Sequence, residues 1–179
     1  MNKLIFLISF VISSSAHSAT GIYKIVWMDM NGKHDITLTV MDGGFDRESS
    51  AVILHGEGKL NNKQEWVIND SVKNCTEDSD ISIYPNSFEL LDLLKKDDYY
   101  ILFSYRISCS GGISPGIVKY FAYRNGIKYS LRGEEHIIMG SDSFGGEVSP
   151  VPDFNLKNNK PLLEYMLKKW PSVSTTRIN

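Results

Sequence analysis

The residues able to do chemistry in this 179-residue chain are few and far apart. His34, His55 and His136 stand alone, without the H-x-x-x-H, H-x-H or H-E-x-x-H spacing that gathers a metal, and are expected to be ordinary surface or strand residues. Cys75 and Cys109 have no histidines beside them to complete a zinc site. The acidic run Glu77-Asp78-Ser79-Asp80 suits a solvated turn, with a cation or a basic partner as the alternative. Lys95-Lys96-Asp97-Asp98 reads as a charged turn, and Asp42 with Asp46 and Asp142 with Glu147 have the same plain reading. No serine-nucleophile signature of the G-x-S-x-G or S-x-x-K kind is picked out. The expectation is therefore no catalytic residues, no metal, no cofactor and no enzyme, a triad assembled from distant residues being the remaining route to one.

The address of the chain says more than its chemistry. Met1-Asn2-Lys3 is a short positive start, Leu4 to Ile12 an apolar run and Ser13 to Ala19 a small-residue exit. That is the form of a secretory signal peptide, too short to span a bilayer, with cleavage expected after Ala19 or Ala16. No cysteine follows it to carry a lipid, so the product is expected to be periplasmic, without a membrane anchor. Export makes a Cys75–Cys109 disulfide the natural reading, against a pair of buried free thiols. Residues 20–179 suffice for a single β-rich domain with a real core. Their charge, 18 basic against 21 acidic once Lys3 is removed from the chain's 19 against 21, leaves no broad nucleic-acid footprint.

The elements that must position these residues are mostly strands. Ile22 to Met28 and Asp35 to Met41 flank Asn31-Gly32, a strong hairpin cue. Gly43-Gly44 breaks the chain, then Ala51 to Leu54 and Gln64 to Val72 bracket a turn at Asn61-Asn62-Lys63, with Gly56 and Gly58 suggesting a bulge or a frayed end. Ile81 to Tyr84 ends at Pro85. Ser87 to Lys96 fits either a short helix or a strand entering a turn. Tyr99 to Ser108 is the expected central strand, pairing with Ile117 to Tyr123, which turns at Asn125-Gly126 into Ile127 to Leu131. Gly140 to Asp153 is expected to be a loop. A short C-terminal helix runs from Pro161 to Trp170, capped by Asn158 or Asn159 and stopped by Pro171, before a frayed tail from Ser172. The fold class these elements make is mainly β: a single domain of antiparallel hairpins with a short C-terminal helix.

Tyr105-Arg106-Ile107-Ser108-Cys109-Ser110-Gly111-Gly112-Ile113-Ser114-Pro115, then Lys119, then Lys128-Tyr129-Ser130-Leu131-Arg132-Gly133, resemble the Y-R-x-S-C-x-G-x-S-P and K-Y-x-x-R-G pattern of a group of exported bacterial proteins. Cys75 in its Asn-Cys context and Trp170 at the helix end match the same group. Some members are labelled surface polysaccharide biosynthesis proteins. Others are similar to periplasmic immunity proteins that block toxic cell-wall hydrolases, with an architecture similar to inhibitors of invertebrate-type lysozyme, so the resemblance implies antiparallel hairpins in a β-propeller-like or β-sandwich-like single domain. One departure is that relatives carry a D-x-D-x-D-G calcium loop where this chain reads Leu91-Asp92-Leu93-Leu94-Lys95-Lys96-Asp97-Asp98, lysines standing where oxygen ligands are needed. The resemblance implies a protein partner, a secreted peptidoglycan-degrading effector of lysozyme or amidase type. The contact is expected at Asp142, Ser143, Phe144 and Glu147, with Ser110 and Ser114 as the second candidate surface. The competing expectation is an envelope accessory or carbohydrate-binding protein, with Tyr99, Tyr100 and Tyr123 stacking on sugars.

Overall fold

A computed structural model describes residues 21–42 and 50–178. The leader, Gly43-Gly44 and Asp46 lie outside the described residues. Strands β1 (Gly21–Asp29), β2 (Gly32–Asp42), β3 (Ser50–Leu60) and β4 (Lys63–Cys75) form one antiparallel meander in chain order. Its turns follow their side chains. Asp29 accepts the amide of Asn31 at 2.7 Å, and Asn61 and Asn62 both take positive φ, the geometry that lets a two-residue turn match the strand twist. Gly56 and Gly58 lie inside β3, whose register shifts between Gly58 and Lys59, so the expected bulge is there and the strand continues past it. A Cβ on Gly58 would stand 2.2 Å from Trp66 Cε2, so glycine is what lets the indole lie across the strand.

The second sheet is built around β7 (Tyr100–Cys109), and its neighbours are β5 (Ser79–Ile83), β6 (Glu89–Leu91), β8 (Ile117–Arg124) and, beyond β8, β9 (Ile127–Glu134). β7 has both faces buried. Ile101, Phe103 and Tyr105 meet Trp66, Leu54 and Leu38 of the first sheet, while Tyr100 and Leu102 meet the helical layer. That layer is α1 (Phe154–Lys157) and α2 (Lys160–Val173), the latter turning Leu162, Met166, Trp170 and Val173 inward at helical spacing. The result is a sandwich-like sheet-on-sheet packing with a helix on the far face, mainly β, with 60% of the described residues in strands and no closed barrel among them. A disulfide joins Cys75 at the end of β4 to Cys109 at the end of β7, tying the two sheets together. Closing a loop with a sequence separation of 34 restricts the unfolded chain enough to contribute about 4 kcal/mol.

Of the two readings open for Ser87 to Lys96, the strand entering a turn holds: a 3-10 turn at Pro85–Ser87 leads to β6, because Leu90 and Leu91 serve opposite cores, as strand alternation requires. Two expectations need correction. Gly140 to Asp153 is only partly a loop. β10 (His136–Met139) turns at Gly140 into β11 (Asp142–Phe144), and β12 (Val151–Pro152) pairs with β9. Finally, Pro171 does not stop α2, and the tail is not frayed. The hydroxyls of Ser172, Ser174 and Thr175 bond the carbonyls of Lys169, Trp170 and Pro171, replacing the backbone donors the helix end lacks, and β13 (Thr175–Ile178) then pairs parallel with β10. The helix begins as expected, with Asn159 accepting from the Leu162 amide.

Candidate functional site

The most constructed surface of the molecule is the turn from β7 to β8, residues 110–116. Its root is the disulfide at Cys109. Within it, Ser114 donates to Ser110 Oγ at 2.8 Å and Ser110 donates to the Gly112 carbonyl at 2.7 Å. Glu77 accepts the Gly111 amide, so part of the acidic run bonds the loop and is not merely solvated. Gly116 leaves no room for a side chain, since a Cβ would lie 2.7 Å from the Ile107 carbonyl. Its amide donates to Glu135 Oε2 at 3.0 Å.

Glu135 is fully buried and anchors the whole region. It accepts from Tyr84 at 3.0 Å, from Arg106 at 3.3 Å on both oxygens and from Thr176, drawing together the end of β5, β7, β10 and β13. Arg106 also donates to Asp80 Oδ2 at 2.7 Å, and Ser82 donates to the same carboxylate. Burial alone would lower the Arg106 pKa, but Asp80 and Glu135 together hold it above its ordinary value. Tyr84 goes up as well, by burial first and then by the Glu135 charge. A buried charge is tolerated only with such a full set of partners. Above this network opens a cleft of about 330 Å³ lined by Asp78, Asp80, Arg106, Ser110, Ile113 and Ile137, among others.

The second expected surface leans on the first. Gly145 has φ +75, and a Cβ there would lie 2.5 Å from Pro115 Cγ and 2.4 Å from the Glu135 carbonyl. His136 Nδ1 holds the Gly145 carbonyl at 2.8 Å, and Glu134 accepts the Gly146 amide at 3.0 Å. Phe144 is half-buried opposite Ile137, Glu147 is exposed, and Asp142 and Ser143 are exposed on β11, with Asp142 at the hairpin end opposite Met139. Ser114 is exposed and Ser110 half-buried. The structure thus brings the 110–116 turn against the 144–147 end of the other segment. Asp142 lies farther off. Nothing in the sequence marks Glu135, Tyr84 or Thr176, and Glu135 is one of two adjacent glutamates there.

Neither a family model nor a curated protein nor a solved structure matches this chain.

Two expectations about chemistry change with the geometry. The chain does contain a G-x-S-x-G string, Gly112-Ile113-Ser114-Pro115-Gly116, which corrects the reading that none is present. It lies between antiparallel strands and not at the strand-to-helix elbow such a nucleophile needs, and the Ser114 hydroxyl donates to Ser110 and not to a base. The sugar-stacking tyrosines are also misplaced. Tyr100 and Tyr123 are each 3% exposed, packed in opposite cores, and only Tyr99 is half-exposed. At the degenerate calcium loop the carboxylate of Asp92 accepts the amides of Lys96 at 3.0 Å and Asp97 at 2.9 Å, folding the turn on itself. Among the described residues no group of three or more His, Cys, Asp or Glu is placed to hold a metal ion, and no helix is long and apolar enough to cross a membrane.

Proposed function

We propose that this protein is an inhibitor, the periplasmic immunity partner of a peptidoglycan-degrading effector, and that it blocks its target with the joined surface of residues 110–116 and 144–147. The observation that carries this reading is the way the two segments are fastened. An exposed turn is rooted in a disulfide, bonded internally by serines and held from below by a buried carboxylate. Such bonding exceeds what a connector needs. Fixing an exposed loop before binding removes the ordering cost at the moment of association, which is how a plug for an active-site cleft gains affinity. Ile113, 55% exposed, and Phe144 supply apolar contact, while Asp78, Asp142 and Glu147 suit a basic cleft rim.

The test uses a candidate lysozyme- or amidase-type effector encoded beside this chain. Purified protein should inhibit its hydrolysis of peptidoglycan, and Ile113→Asp or Phe144→Ala with Glu147→Lys should weaken inhibition by tenfold or more on the order expected for anchor residues, without moving the thermal melt. Undiminished inhibition by both folded variants would place the contact on another face.

A further inference from the structure

The K-Y-x-x-R-G stretch takes no part in that surface, yet it carries unpartnered charge. Lys128 and Arg132 are both exposed on the same face of β9. Across the ladder Arg132 stands directly opposite Lys119, a like-charge pairing that disfavours the sheet unless it is neutralised. Asp70 takes Lys119. Arg132, Lys128 and the exposed Lys157 on α1 form no ion pair among the described residues. Asp153, on the neighbouring segment, is engaged on both oxygens, by the Ser130 hydroxyl at 3.0 Å and the Leu156 amide at 2.8 Å.

Beside these cations runs a strip of exposed apolar side chains. Val151 lies opposite Arg132, the Asp153 amide bonds the Ser130 carbonyl, and Asn155 donates to the Lys128 carbonyl at 2.9 Å, so residues 151–155 follow the outer edge of β9. Val151 is 62% exposed and Phe154 80%. Phe154 is the most exposed large apolar residue among those described. Between strip and cations lies an open trough of about 320 Å³ lined by Lys128, Ser130 and Arg132.

We infer that this edge docks on an anionic phospholipid surface, with headgroup phosphates at Lys128, Arg132 and Lys157 and with Phe154 and Val151 at the boundary between headgroups and acyl chains. The alternation of exposed apolar groups with unpaired cations is what such a surface recognises. The docking is peripheral, and it leaves the inhibitor surface free.

Flotation of residues 20–179, which hold every described element, tests it with vesicles of phosphatidylglycerol and phosphatidylcholine against phosphatidylcholine alone. Binding is expected to the anionic vesicles only and to weaken with salt. Lys128→Gln with Arg132→Gln should lower the partition on the order of 25-fold, about fivefold per cation. Phe154→Ser should lower it about tenfold or more, and Met30→Ser, an exposed apolar change on the β1–β2 turn, should leave it unchanged. Thermal melts confirm that each variant is folded. Absence of partition, equal binding to neutral vesicles, or indifference to these variants would overturn the proposal. So would competition by inorganic phosphate at millimolar level, which would make the trough a site for the free ion.

Discussion

Glu135→Gln is the perturbation that asks most of the buried network. The change is isosteric, so packing is preserved, but the Gly116 amide bonds one carboxylate oxygen and the Tyr84 and Thr176 hydroxyls the other, so the glutamine loses the charge and keeps an accepting oxygen for only one of the two sides. Arg106 then keeps Asp80 but faces an uncharged, partly donor-bearing amide at 3.3 Å. Breaking a fully buried pair outright costs about 3 to 5 kcal/mol. Because Asp80 still neutralises Arg106, the expected loss is smaller, about 2 kcal/mol, or about 6 °C in Tm for a domain of this size. Arg106→Met should cost more, about 3 to 5 kcal/mol, since it leaves Glu135 charged and buried without its counter-ion. Urea unfolding of the wild type, both single variants and the double variant gives the coupling energy, expected at about 1 to 2 kcal/mol and favouring the double variant over the sum. Amide exchange at Gly116 should speed up in Glu135→Gln, because its acceptor has lost its charge. A Glu135→Gln variant within about 0.5 kcal/mol of wild type, with Gly116 exchange unchanged, would refute the idea that this carboxylate holds the loop.

Gly58→Ala should destabilise by about 1 to 3 kcal/mol and shift the Trp66 fluorescence, because the added carbon meets the indole at 2.2 Å and the ring must move off Tyr123, on which it stacks at 4.0 Å. Alkaline pH should unfold the protein through its buried tyrosines. Tyr84, Tyr105, Tyr120 and Tyr123 all have pKa values raised far above the ordinary 10, in each case by burial first. The neutral form is therefore the folded one, and its stability is whole below pH 10 and lost as pH rises above it. Tyrosinate absorbance should accordingly appear together with loss of β circular dichroism, and a smooth titration at pH 10 in a protein that stays folded would contradict the burial.

Hairpins were legible because their turns and alternation are local. Asn31-Gly32 and Asn125-Gly126 mark their turns without help from the rest of the chain, and the apolar run after Tyr99 announces a strand buried on both faces. The cysteine pair was legible from export chemistry. Illegible were the features that depend on partners distant in sequence: Thr175–Ile178 has no strand pattern strong enough to show that it adds to β10, and Pro171 looks like a stop until three hydroxyls are seen to complete the helix end. Phe144 and Ser114 were named as separate alternatives because nothing in the sequence shows that Gly145 nests against Pro115. The carboxylate beneath them, Glu135, is one of two adjacent glutamates, and only the fold distinguishes it from Glu134.

The parallel pairing of β13 with β10 bears on the order of synthesis. Thr176 is one of the donors to Glu135, and the Ser174 carbonyl takes the amide of His136. Both layers of the sandwich and α2 are complete in sequence before these residues are made. Loss of residues 175–178 would therefore leave the principal cores, the helix and the disulfide in place but take a strand from the mooring beneath residues 110–116. Such a molecule would look native to most measures of folding while its 110–116 surface was loosened, so the order of that surface is a check separate from the check on fold.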